Sequence, residues 1–292
     1  MRGLLATTTC LLLFFGAVGA AQARCLGTAK NLIVGTPGPD VLRGTPGQDR
    51  IEGRGGNDII RGRGGDDILC GGDGADTIYG GAGGPEPPGF EESPNYIRGG
   101  AGRDRLYGGA DQDYIREGRG ADNVFAGAGD DILEGWSRGN DRIHLGPGSD
   151  SLTDSRGHDV VFGGGGDDSF GLGRFGHAGH DVFHGDAGSD LVFWSGHYRG
   201  PSAIIDLKAG RVRTVNGSEE LRSIESAVGT RRGDTLIGSV VANVLNGFWG
   251  NDHIEGGAGD DELDGSLGVD VLDGGGGTDT CVAGETLNSC EL

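Results

Sequence analysis

Leu42, Ile51, Ile60, Leu69 and Ile78 stand nine residues apart, each with an aspartate two places before it. The beat resumes at Ile97, Leu106, Ile115, Val124 and Leu133, slips by one residue to Ile143, Leu152, Val161 and Phe170, and returns at Phe183 and Val192. A last run holds Leu236, Leu245, Ile254, Leu263, Leu272 and Cys281. One apolar position in nine predicts a three-residue strand whose middle side chain points inward, joined to the next by a tight turn.

The polar positions keep the same time. Two residues before the apolar ones lie Asp40, Asp49, Asp58, Asp67 and Asp76, then Asn95, Asp104, Asp113, Asp122 and Asp131. The series goes on through Asp141, Asp150, Asp159 and Asp168, then Asp181 and Asp190, and ends with Asp234, Asn243, Asp252, Asp261, Asp270 and Asp279. Two residues earlier again glycine predominates, as at Gly38, Gly47, Gly56, Gly65, Gly74, Gly102, Gly250, Gly259, Gly268 and Gly277. Glycine permits positive φ, so a short turn can reverse the chain and aim carbonyl oxygens inward. Carbonyls and carboxylates together suit calcium, a hard ion that takes about six to eight oxygens.

Composition sharpens this. The 292 residues include 65 Gly, and 44 acidic against 24 basic side chains leave a formal charge of −20. Glycine at that level accompanies collagen or disorder. Here no Gly-X-Y triplet runs through the chain, and a disordered segment would not hold three residue types in phase. The excess of acid argues against nucleic acid as a partner and suits multivalent cations.

Met1-Arg2, the apolar stretch around Leu11-Leu12-Leu13-Phe14-Phe15 and the Ala21-Gln22-Ala23 pattern predict a secretory signal peptide over residues 1–23. The stretch is broken by Thr7-Thr8-Thr9 and is short for a bilayer, and no later segment resembles a membrane span. Arg24 stands where a lipidated Cys25 would need a small residue. The mature chain is therefore expected to be secreted and extracellular, with a charge of about −21 from 23 basic and 44 acidic residues. It keeps four cysteines, Cys25, Cys70, Cys281 and Cys290, and an even count in an exported protein favours disulfides.

Gly71-Gly72-Asp73-Gly74-Ala75-Asp76-Thr77-Ile78-Tyr79 and Gly256-Gly257-Ala258-Gly259-Asp260-Asp261-Glu262-Leu263-Asp264 match the pattern G-G-x-G-x-D-x-U-x, where U is a large apolar residue. The chain thus resembles the haemolysin-type (RTX) calcium-binding nonapeptide-repeat family over nearly all of its mature length outside residues 194–228. The resemblance implies an all-β fold, a right-handed parallel β-roll or β-helix solenoid with two nonapeptides per coil. Residues two repeats apart then stack, so Asp40 is expected beside Asp58 and Asp49 beside Asp67, with Ca2+ between them in two ladders on opposite edges. About eleven coils would make a rod roughly 50 Å long at the strand spacing of about 4.8 Å. All the repeat aspartates named above are candidate metal ligands. The core is thin and about ten divalent ions would neutralise the mature chain, so folding is expected to depend on metal.

Several copies depart from the pattern. Asn95 and Asn243 replace the aspartate, and Asp111, Arg232 and Val241 replace the preceding glycine, which makes calcium at these points doubtful. The segment Gly84 to Ser93, with Pro85, Pro87 and Pro88, is expected to bulge as an exposed loop, and another copy is widened around Arg174-Phe175-Gly176-His177. Residues 194–228 lose the beat. Ala203-Ile204-Ile205-Asp206-Leu207 and Arg211-Val212-Arg213-Thr214-Val215 read there as strands joined by a Lys208-Ala209-Gly210 turn, within wider coils of one continuous solenoid. The organisation expected is a capped repeat block at 24–193, the non-repeat segment 194–228 and a second repeat block at 229–292. Solenoids need caps, so Cys25–Cys70 is expected to clamp the first coils and Cys281–Cys290 to close the last.

Paired carboxylates such as Asp66-Asp67, Asp130-Asp131, Asp167-Asp168 and Asp260-Asp261 each contain a repeat aspartate, which explains them without catalysis. No His-Glu-x-x-His motif or phosphate loop occurs, and a secreted hydrolase or epimerase would lack room for its catalytic domain. His158 and His180 share a motif position near His177, a set that could hold zinc or nickel but reads more simply as loop histidines facing solvent. Tyr79, Tyr107, Phe125, His144, Phe162 and His184 fall on alternate ninth positions and predict an outward ladder of rings, structural or a flat surface for carbohydrate. The function expected is non-enzymatic calcium binding coupled to folding outside the cell. The alternative is an adhesin for cell-surface or matrix carbohydrate.

Overall fold

A computed structural model describes residue 29 and residues 31–82, 95–135, 138–153, 157–172, 179–194, 202–215, 217–284 and 286–290. The expected signal peptide, Cys25, the proline-rich segment 84–93 and His177 lie outside the described residues. Strands form where the apolar beat puts them. Alternate strands join two different sheets, one of 13 strands from Asn31–Val34 to Thr280–Val282 and one of 15 from Val41–Arg43 to Thr286–Asn288. Pairing is parallel from coil to coil, with Val41 on Ile59, Ile60 on Ile78 and Tyr96 on Tyr114. The chain is a parallel β-solenoid.

The stack is longer than the eleven coils expected, because Asn31–Val34 adds a coil before Asp40 and Ser226–Val228 adds one within residues 194–228. Twelve intervals of about 4.8 Å between 13 strands make about 58 Å. The middle residue of each strand is buried, from Ile51 and Ile60 to Leu263 and Leu272, while Leu42 in the first coil is half-buried. Ala126, Leu145 and Leu172 fill gaps between the rows. Each turn is pressed against the next. Gly74 sits at φ +131°, and a Cβ there would also strike the carbonyl of Gly56 one coil earlier, so the neighbour excludes a side chain as firmly as the backbone angle does.

The segment without the beat folds differently from the wider coils expected. Ile204–Asp206 and Arg211–Thr214 pair antiparallel, and Arg211–Thr214 pairs antiparallel with Gly217–Arg222. These strands sit inside the 15-stranded sheet, whereas Leu191–Trp194, Ser226–Val228 and Val244–Asn246 follow one another directly in the other. Two additional strands lengthen one sheet by about 10 Å, a mismatch the coils on either side must absorb.

Outside the roll, Tyr79, Tyr107, Phe125, His144, Phe162 and His184 stack face to face with centroids 4.6–5.1 Å apart, as the ninth positions predict. Arg61 covers the outer face of Tyr79, and Arg222 pairs beyond His184. In the last block the same row holds Ile237, Glu255, Asp273 and Asn288. Among the described residues no helix is long and apolar enough to cross a membrane.

Candidate metal centre

The repeat aspartates form two ladders, one along each edge. Asp58 Oδ1 accepts the backbone N–H of Asp40 at 2.8 Å, and Asp67 Oδ1 that of Asp49 at 2.9 Å, so the expected neighbours meet. The same bond recurs coil after coil, from Asp76 to Asp104, Asp113 to Asp131, Asp122 to Asp141 and Asp150 to Asp168, and in the last block from Asp234 to Asp252, Asp252 to Asp270 and Asp261 to Asp279. It spans the proline-rich segment between Asp67 and Asn95 and the widened copy between Asp159 and Asp181 and between Asp168 and Asp190. The carbonyl of each aspartate returns the favour, as where Asp40 accepts from Ile59 and Asp58 from Thr77. From Asp58 onward, one carboxylate oxygen of the repeat aspartates is therefore committed to holding coils together.

The other oxygen divides the turns into two kinds. In the first kind the residue four places before the aspartate lies at positive φ. Examples are Arg54, Arg63, Gly72, Gly100, Gly118, Gly127 and Gly146, and then Gly164, Asp186, Phe248 and Gly257. In these turns Oδ2 is buried and has no hydrogen-bond partner among the described residues: Asp58, Asp67, Asp76, Asp104, Asp122, Asp131, Asp150, Asp168, Asp190, Asp252 and Asp261. In the second kind that residue is Thr or Ser with ordinary φ. Thr36 donates both its N–H and its hydroxyl to Asp40 Oδ2 at 2.6 and 2.9 Å, and Thr45 does so to Asp49 at 2.5 and 3.0 Å. Thr230 treats Asp234 the same way, and the Ser239 N–H meets Asn243 Oδ1 at 2.6 Å.

Burial pushes these repeat carboxylates up and the Oδ1 bond opposes it; repulsion from neighbouring carboxylates adds to the rise at most of them, whereas Arg103 counters it at Asp122. Asp76, Asp122, Asp168 and Asp190 are raised to about 6. Asp67, Asp104, Asp113, Asp141, Asp150 and Asp252 reach about 7, and Asp131 about 8. A row of buried oxygens without donors, on groups that resist losing their protons, fits a cation that neutralises them. Carbonyls lie close by. At Gly256 an added Cβ would fall 2.5 Å from both Asp261 Oδ2 and the Gly274 oxygen. Among the described residues no three His, Cys, Asp or Glu side chains cluster as a metal site, so an ion here would draw largely on backbone carbonyls beside the repeat carboxylates.

Two ladder residues escape the nine-residue beat. Glu219 Oε2 accepts the N–H of Asp181 at 2.6 Å and Glu225 Oε2 that of Asp190 at 3.0 Å, so glutamates carry both ladders into the non-repeat segment. Burial raises Glu219 to about 7. The signal was present, since each stands two places before a buried residue, Leu221 and Ala227. Ala203 then takes an aspartate's place and donates to Asp234 Oδ1 at 2.6 Å. Asn95 keeps its ladder intact and donates its amide to Asp113 Oδ1 at 2.7 Å.

His180 donates its N–H to His158 Nδ1 at 3.1 Å, and its own Nδ1 lies 2.7 Å from the Ser218 carbonyl. These bonds use the Nδ1 atom of each ring for stacking turns, and the zinc or nickel reading is not carried forward. Cys281 and Cys290 form the expected disulfide across the last coil. Cys70 is disulfide-bonded, and Cys25, the partner expected for it, lies outside the described residues.

A family model described as the RTX calcium-binding nonapeptide repeat (4 copies) matches residues 34–69, 53–84, 92–116, 118–137, 137–170, 175–193, 228–263 and 246–281. The matches leave out the antiparallel insert. No curated protein matches the chain.

Proposed function

The chain belongs to the RTX calcium-binding nonapeptide-repeat family, whose repeats bind Ca2+, and from that premise we propose that it is a secreted, extracellular protein whose roll closes only when calcium fills the glycine-type turns. The observation that carries this reading is the row of buried Oδ2 atoms without donors, from Asp58 to Asp261. Each would leave a buried charge uncompensated in the absence of a cation, and metal binding then becomes folding free energy. Bound at those turns, calcium supplies positive charge between stacked coils. The protein contributes Oδ2 and carbonyl oxygens, while Oδ1 keeps the register. Asp40, Asp49 and Asp234 are ladder members whose Oδ2 already has donors, so their part is to hold coils.

The Cys281–Cys290 disulfide supports an oxidising compartment, in line with the signal peptide expected at residues 1–23. The ring ladder gives the adhesin alternative little to work with, because the faces of Tyr107, Phe125, His144 and Phe162 are covered by neighbouring rings and only edges meet solvent. No catalytic step is assigned. Circular dichroism tests the reading: millimolar calcium should bring strand signal and compaction, and excess chelator should remove both. Equal strand content in the two conditions would overturn it.

A further inference from the structure

Glu117 breaks the repeat in a way that neither the coil stacking nor the turn sites explain. It occupies the place where the same sheet has Gly53, Gly71 and Gly99, and Gly135 follows at the next coil. At those glycines an added Cβ would collide with the carboxylate of the aspartate five residues on, Asp58, Asp76 or Asp104. A side chain at this place therefore starts against the repeat carboxylate and runs into the interior of the turn edge. Glu117 does so beside Asp122, whose Oδ2 has no hydrogen-bond partner among the described residues. The side chain of Glu117 is 1% exposed, and its Oε2 also has no partner among them. Burial is the main reason that its carboxyl is pushed well above the ordinary range, with repulsion from Asp141, Asp122 and Asp159 adding to it.

An unpartnered charged group has no place in an apolar interior, and the other residues that fill this kind of position, Ala126, Leu145 and Leu172, are apolar. We propose that Glu117 and Asp122 together hold one calcium ion in a site with two carboxylates, the tightest on the chain. In the other glycine-type turns named above, the place five residues before the aspartate holds glycine, alanine or leucine, so none adds a carboxylate there. Affinity for calcium rises with the number of charged ligands and the rigidity of the site, and this one is set in the middle of the first block with coils on both sides. The proposal rests on calcium binding by the repeats and adds to one of their turns a second carboxylate that the repeat pattern does not contain.

The test compares the full-length secreted protein with Glu117→Gln and Glu117→Gly. The first keeps the shape without the charge, and the second restores the residue the neighbouring coils use. Ions bound at saturating calcium are counted by native mass spectrometry, and the tightest dissociation constant is read by competition with a chelator of known affinity. Both variants should bind as many ions as the natural chain, because the Asp122 turn is then like its neighbours, but the tightest constant should weaken at least about tenfold. If Glu117→Gln does not fold, Glu117→Gly decides alone. An unchanged tightest constant in a folded variant would overturn the site and show Glu117 to be a neutral buried acid. A natural chain that bound no calcium would sink the broader functional reading instead.

Discussion

The coils that open each repeat block and the coils inside the first block use the same aspartate in different ways. At Asp40, Asp49 and Asp234 a threonine four places earlier satisfies Oδ2 with two donors, so that oxygen is closed off by the protein. At Asp104, Asp122 and Asp131 that place is a glycine at positive φ, and Oδ2 is left buried without a donor. One substitution thus separates a turn closed by protein from a turn left for an ion. A solenoid gains from this division, because an end coil rests on one neighbour only and benefits from an edge that holds without metal.

Three measurements would break or sharpen this contrast. The largest effect is expected from pH on the metal-free chain. The glycine-turn carboxylates are raised to about 6 to 8 in the fold, against about 3.9 for aspartate in an unfolded chain. Each therefore supports the metal-free fold below about pH 4, and that support is lost as the pH rises through the folded value. In excess chelator, strand signal by circular dichroism should be weak at pH 8 and should grow as the pH falls below about 6. A signal that stayed flat or fell on acidification would contradict the burial of uncompensated carboxylates. Calcium binding should show the opposite trend and weaken on acidification, since protons compete for the same oxygens.

A smaller effect is expected from removing single charges. Asp104→Asn leaves an oxygen to accept the Asp76 N–H, much as Asn95 accepts that of Asp67, but it takes a charge from a glycine-type turn. It should cost about one bound ion by calorimetric titration and raise the calcium midpoint of folding. Asp49→Asn, in a threonine turn, should leave the ion count unchanged. Equal losses in the two variants would erase the distinction between the turns.

The smallest effect is expected at the threonine itself. Thr45→Val keeps the shape and the backbone N–H but removes the hydroxyl that bonds Asp49 at 3.0 Å. Loss of one hydrogen bond to a charged group should cost about 1.5–3 kcal/mol, read by denaturant unfolding in saturating calcium, with the ion count unchanged. A gain of one ion in Thr45→Val would show that the hydroxyl had been standing where a cation can bind.

Much of this was legible in the residues. Outside residues 194–228 the apolar beat marks the inward strand positions from Ile51 to Cys281, and the aspartate beat marks both ladders, because turn, strand and inward side chain are all set within nine residues. The ring ladder was readable for the same reason, since alternate ninth positions return to one face of one sheet. The two kinds of turn were written as Thr36 and Thr45 against Gly100 and Gly118. The glycine phase drew attention to flexibility and not to the donors that threonine adds. Glu219 and Glu225 were hidden because the insert breaks the count, although each keeps the acid-to-apolar spacing.

By itself, then, the sequence determined the unit: a glycine turn, an aspartate and one buried apolar residue, repeated until the chain must coil. These are local properties, fixed by backbone angles and by the alternation of side chains along a strand. The tertiary structure decided everything that depends on which coil lies next. Only stacking commits Oδ1 to the previous coil and leaves Oδ2 over, lets glutamates replace aspartates at the insert, and places Glu117 where its neighbours have only hydrogen. Those outcomes need a partner one coil away, 18 residues off in the regular repeats but 28, 35 or 38 residues off where segments intervene, which the nine-residue pattern does not record.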